Sequence, residues 1–529
     1  MKSFCRNLMV CILGSCMVLL SACSPASDRK KYIPADAIAV MTLNGSKLGK
    51  KIAWEVLFSG DLFKNFKSDD VKKTGIDLMD NFYVYALPDQ RLSVKVKFVA
   101  IVPLTNQREW VAFLKSKYPG FHESSEKGFH TAPLQGNMIA GWNSKTAVLV
   151  FTPNSYGLEE NNTSAILSET LDATLHIDEK DAISGNEKFQ LLQKDNFDIG
   201  IWVNYERLSQ SLPQNSMGMV AALTGHASLT RDAYMTGGIN FEKGKISGDI
   251  KYYTNPAMLG IMKQMISENF TDDLAKRMPP GKAAAVLSYH INPQGIKSML
   301  DTMGTTTIIN DELEDQGLTI DGILHCFTGD FFFSASDVTR SVKMDTFSFN
   351  GHTDTFSRNE TSANWMLAFK VADRQAMDKL LQTFINEKVL TGKDENLFSI
   401  EGTPALLAVR DGYAVLTAKE QNIGYFFSGP GAGRADIPAE ISRNPMGVFI
   451  DLNALSPLFE SRFRVFAPSG KMKNLPTNIV LYGGAVKEDY TLMHVDINFQ
   501  QKEENSLLQI IRAAGEASDA QQQNVSPNH

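Results

Sequence analysis

The chain is written twice, and a repeat of this length limits what it folds into more than any other feature. The first copy opens IPADAIAVMTLNGSKLG at Ile33 and the second opens MPPGKAAAVLSYHINPQG at Met278. Pro34 and Pro280, Val40 and Val286, and Gly49 and Gly295 stand at one offset of 246 residues. A constant offset over several landmarks means that one supersecondary plan is built two times in 529 residues.

The match continues in order. GIDLMDNFYVYAL from Gly75 parallels GLTIDGILHCFTGDFFFSA from Gly317, and VKFVAIVPLTNQREWVAFL parallels ANWMLAFKVADRQAMDKLL. In the second pair Asn106 and Asp373 stand where a helix N-cap is wanted, ahead of the apolar stripes Trp110, Phe113, Leu114 and Met377, Leu380, Leu381. Later come two hairpins entered through Gly237-Gly238 and Gly483-Gly484, each leading to an amphipathic helix. Alternation such as Tyr83-Val84-Tyr85 and the many short turns predict α+β, mostly antiparallel sheet with helices packed on one face. Two tandem lobes are expected, 32–275 and 278–515, with a disordered tail at 516–529. The Thr339–Ser362 stretch, absent from the first copy, is expected to be a loop.

The N-terminus carries an address. Lys2 and Arg6 precede an apolar run from Leu8 to Leu20, too short for the roughly 20 residues a bilayer span needs. Leu-Ser-Ala-Cys then ends at Cys23, an order that resembles the lipobox of bacterial lipoproteins. That resemblance implies a signal peptide over 1–22, lipidation of Cys23, and a polar tether over 23–31. Two or more acyl chains give stable attachment where one does not. The tether holds one acid and three bases, which favours the periplasmic face of the outer membrane over surface display.

Charge and cysteine usage narrow the chemistry. The net charge of −7 excludes a nucleic-acid partner, since phosphate contact needs a basic face. Beyond Cys23 the body keeps only Cys326, so no internal disulfide or cysteine metal site is expected. Cys326 reads as a small buried hydrophobe within a strand, beside a buried His325. NGSKLGKK at Asn44–Lys51 is too short for a phosphate loop, and proline soon after GPGAGR, Gly429–Arg434, forbids the helix a dinucleotide fingerprint needs. NDELEDQ at Asn310–Gln316 reads as a solvated face, and the helix Met258–Met265 as a core stripe. No catalytic residue, cofactor or metal ligand is assigned from the sequence.

With these residues in view, the chain resembles an uncharacterised family of Bacteroidota lipoproteins, classed as domain of unknown function 4836. The resemblance runs through the IPADAIAVMTLNGSKLGKK opening, GIDLMDNFYVY and the GGAVKEDYTLMHVDINFQ ending. It implies no activity, and Cys23 is the one residue to which it gives a role. The expectation is a non-enzymatic envelope lipoprotein, bound to the membrane by its lipid and engaging an envelope protein partner. A carrier of an amphiphilic or apolar ligand, and a hydrolase with a site in one lobe only, are the alternatives.

Overall fold

Alternation becomes strand where one face finds cover. In Asn81–Pro88, Tyr83 and Tyr85 are buried while the residues between them stay partly exposed. The computed structural model describes residues 29–51, 73–92, 95–126, 128–135, 137–153, 160–211, 230–266, 272–349, 352–431, 436–458 and 475–514. Cys23, the leader, most of the tether and the tail from 516 lie outside them. The last tether residues, Arg29–Lys31, begin a 3-10 turn, and Arg29 is buried there with bonds to Asp80, Thr146 and the Lys145 carbonyl.

The chain divides into two compact units, and the division does not follow the repeat. Among the described residues, one unit holds those up to Val40 and from Lys73 to Leu191; the other holds Met41–Lys51 and those from Leu192. Strand β1 (Ala39–Asn44) spans that division. The first unit contains β2 (Asn81–Pro88), β3 (Val96–Pro103), β4 (Ser124–Glu126), β5 (Phe129–Gln135), β6 (Met138–Trp142) and β7 (Thr146–Phe151). They lie in the order β2-β3-β7-β6-β5-β4.

The second unit continues with β8 (Ile199–Asn204), β9 (Tyr234–Glu242), β10 (Lys245–Tyr253), β11 (Ala283–His290), β12 (Phe327–Phe349), β13 (His352–Val371) and β14 (Leu390–Asp394). It ends with β15 (Leu397–Ile400), β16 (Leu406–Arg410), β17 (Tyr413–Thr417), β18 (Met446–Asp451), β19 (Pro476–Val486) and β20 (Tyr490–Phe499). Here β12-β13-β17-β16-β15-β14 repeats the order of the first unit. Likewise β8-β9-β10 matches β18-β19-β20, and the two runs meet where β10 pairs with β20. Every one of these ladders is antiparallel, so the fold is α+β.

The capped helices pack as their stripes require. Asn106 accepts hydrogen bonds from the Arg108 and Glu109 amides, and the helix Gln107–Lys117 lays Trp110 and Leu114 on Ala132, Ala140, Trp142 and Ala147. Asp373 caps Arg374–Asn386 in the same way, and Met377, Leu380 and Leu381 cover Phe398, Val409 and Ala414. Each such side chain contributes roughly 1.5–3 kcal/mol on burial.

Three expectations need correction. Thr339–Ser362 is not a loop, because β12 and β13 pair onward from Thr339↔Ser362 to Phe349↔His352 as a two-stranded arm. Cys326 does not sit within a strand: Ile320–His325 is a short helix started by the Thr319 side chain, and β12 begins only at Phe327. Cys326 is fully buried as expected, but His325 is exposed, because it lies on the outer side of that helix turn.

Candidate functional site

The second unit assembles a polar line that the sequence hides. Ser288 and His290 are two apart on β11 and so share its buried face, at 1% and 3% exposure. Asp330 on β12 pairs directly across from His290. The His290 Nδ1 lies 2.6 Å from Asp330 Oδ1, and Nε2 lies 3.4 Å from the Ser288 hydroxyl. The other Asp330 oxygen accepts from the Thr328 hydroxyl at 3.1 Å and faces Lys370 Nζ at 3.7 Å. Burial works to raise the Asp330 carboxyl, but His290, Lys370 and Thr328 prevail and hold it below the usual carboxylate range.

A cavity of about 160 Å³ adjoins this line. Met262, Met265, Ile266, Ile291 and Met446 form its apolar walls, and His290, Tyr289 and Thr491 its polar ones. Ser288 and Asp330 are not on the wall. The Ser-His-Asp order is that of acyl transfer, which needs a nucleophile open to substrate. Here Ser288 pairs with Phe332 on one side and Gly447 on the other, in the middle of three strands. A molecule in the cavity meets the imidazole and not the hydroxyl.

One glycine of the Gly-Gly pair, Gly484, borders this space. Gly483 and Gly484 have φ of +138° and +88°, where the β19–β20 ladder shifts register before Val486. A Cβ on Gly484 would find nothing nearer than 3.6 Å. In the first copy Gly237 and Gly238 sit in an unbroken ladder, and a Cβ on Gly238 would meet the Phe197 ring at 2.4 Å. At the repeat offset, Thr42 and Asn44 stand for Ser288 and His290.

The helix Pro256–Met265 is only half the core stripe expected. Ile261 is buried with Met303, and Met258 and Met265 pack against them, while Met262 and Met265 also line the cavity. Asn44–Lys51 has a structural use: the helix Gly45–Lys51 brings Lys47 to 3.5 Å from the fully buried Asp198 and pairs Lys51 with it. A larger cavity in the first unit, about 260 Å³, has Arg91 and Lys97 on its wall. Both cations are already engaged by Asp89 at 2.9 and 3.1 Å, and Arg91 also by Glu169 at 2.8 Å.

Among the described residues no group of three or more histidine, cysteine or acidic side chains is arranged to hold a metal, and no helix is long and apolar enough to cross a membrane. Cys326 donates to the Gly322 carbonyl, and burial with Asp373 nearby pushes its thiol up to about 11. Cys23 lies outside the described residues.

The arm is the other candidate surface. Val342, Met344, Phe347 and Phe356 are 64%, 63%, 60% and 54% exposed. Register puts Phe347 and Phe356 on one face, Phe356 across from Asp345 and Phe347 nearer the tip than the Lys343–Glu360 and Arg358–Asp345 ion pairs, and Val342 and Met344 on the other.

The family model for the domain of unknown function DUF4836 matches residues 59–423. The chain belongs to the DUF4836 family. The match begins after β1 and stops within the helix Glu420–Phe427, so it takes in the arm and the Ser288, His290 and Asp330 line of this DUF4836 protein. No curated protein matches it. Solved structures similar to it include two titled as crystal forms IV and III of TP0453, each 9% identical with a TM-score of 0.26. They cover 44% and 46% of the DUF4836 chain, and 85% and 88% of their own. A likeness that slight carries no argument about function.

Proposed function

We propose that this chain is a lipid-anchored binding module of the cell envelope, held to the membrane through Cys23 and meeting an envelope protein through the Thr339–Ser362 arm. The observation that carries the reading is the arm itself. A two-stranded hairpin is marginal alone in water, yet this one holds four large apolar side chains more than half exposed. Burying them against a partner would contribute roughly 1.5–3 kcal/mol apiece. The Leu-Ser-Ala-Cys order and the basic tether support attachment to the outer membrane on its periplasmic face.

In-cell photocrosslinking tests the arm. A photoreactive residue at Phe347 or Phe356 is expected to give one reproducible protein adduct, and the same residue at Ile308, equally exposed on another surface, is expected to give none. Adducts of the same kind from all three positions, or from none, would remove the reading. The anchor is tested separately: Cys23→Ser should move the protein from the membrane to the soluble fraction.

A further inference from the structure

We propose that the partner of the arm is a second copy of this chain, joined by antiparallel pairing of the two β12 edges about Met344. The inference rests on the reading of the arm as a docking surface and adds what docks there. Inside the sheet both strands of the arm are covered: β11 pairs with β12 from Asp330 to Ser336, and β17 pairs with β13 from Met366 to Lys370. A bulge then interrupts the β12–β13 ladder between Ser336 and Thr339, where Asp337 takes a left-handed φ of +52°. A bulge bends a strand and re-aims it. Beyond this one, no described strand pairs with either outer edge of the arm.

An open edge is a template for strand addition, and the side chains choose which edge is used and what adds to it. Three of the arm's four exposed apolar residues, Val342, Met344 and Phe347, lie on β12. Within the arm Val342 stands across from Asn359 and Met344 across from Ser357, so their cross-strand neighbours are polar. A second β12 supplies apolar ones. With the two-fold axis at Met344, each Met344 faces the other, each Val342 faces Thr346, and the Val342 and Met344 of the two copies become diagonal neighbours on one face. On the opposite face, Lys343 of each copy meets Asp345 of the other. Moving the axis one residue either way sets Lys343 against Lys343 or Asp345 against Asp345, and like charges directly opposite are destabilising. Lys343 and Asp345 keep their pairs within the arm, with Glu360 at 2.6 Å and Arg358 at 3.2 Å, because an ammonium and a carboxylate each take more than one partner.

Disulfide trapping on the full chain in cells reads both the partner and the register. Met344→Cys is expected to give a covalent dimer of this chain under mild oxidation, since residues paired on the axis come within disulfide reach. Val342→Cys is the control. It is as exposed, but at this register the two positions stand four residues apart along the strands, about 13 Å, and should yield at least tenfold less dimer. Val342→Cys combined with Thr346→Cys, which face each other, should restore it. Cys326 is buried and stays out of the reaction. No dimer from Met344→Cys, or as much from Val342→Cys alone, overturns the proposal. The two readings fail separately: a photoadduct at Phe347 with a different protein keeps the arm as a docking surface and removes the second copy, whereas the absence of both adduct and dimer removes both.

Discussion

Asp198 has no exposed surface, and its charge is held by Lys51, Lys47 and the Phe241 amide, which donates at 2.6 Å. Removing one partner from a buried pair leaves the others unmatched, so Asp198→Ala should cost about 3 kcal/mol, read as a lower urea midpoint. Asp89 gives a pH-dependent counterpart. Burial opposes its charge, but hydrogen bonds from Arg91 and Lys97 win and hold the carboxyl far below the usual range. A carboxyl depressed on folding stabilises fully above its unfolded value, near 4, and loses that contribution as pH falls toward the folded one. The gap in urea midpoint between the natural chain and Asp89→Asn should thus be widest at neutral pH and narrow below about pH 4. Neither residue was legible in the sequence. Asp198 lies about 150 positions from its lysines, and Asp330 is 40 from His290, so only the pairing of strands brings these charges together.

Elements were legible where the signal is local. Asn106 and Asp373 each accept two amide hydrogen bonds, as N-caps ahead of apolar stripes must. Asn106→Ala and Asp373→Ala should each lower stability by about 1 kcal/mol, measured by urea unfolding. The arm was missed for an equally physical reason. Its hydroxyl-rich, charged sequence has no buried face to impose a strict alternation, and strand patterns are read from burial. The same logic explains Ile320–His325, whose apolar run serves a short helix closing over Met377 and Val409 as readily as a strand. Excising Arg340–Thr361 should leave the urea unfolding midpoint unchanged, because none of the described core clusters draws a residue from it.

For the whole molecule, the repeat predicted that one plan of strands and helices recurs, and not the compact units. Self-similarity reports which segments fold alike; it does not report which edge each chooses. Here β10 and β20 choose each other, from Lys245↔Asn498 to Tyr253↔Tyr490. A protease site inserted at the exposed Pro280–Lys282 segment should give two fragments that stay together through native gel filtration and separate only in denaturant. Fragments that part without denaturant would contradict the seam. That seam has a further meaning. A strand laid antiparallel against its own counterpart, with Asp249 opposite His494, is a self-complementary surface of the kind two-fold dimers use. One copy alone would expose a nine-residue hydrogen-bonding edge, an invitation to aggregate. Joined on one chain, each copy caps the other at a fixed high local concentration, and a contact that would have depended on encounter between molecules is present whenever the chain folds.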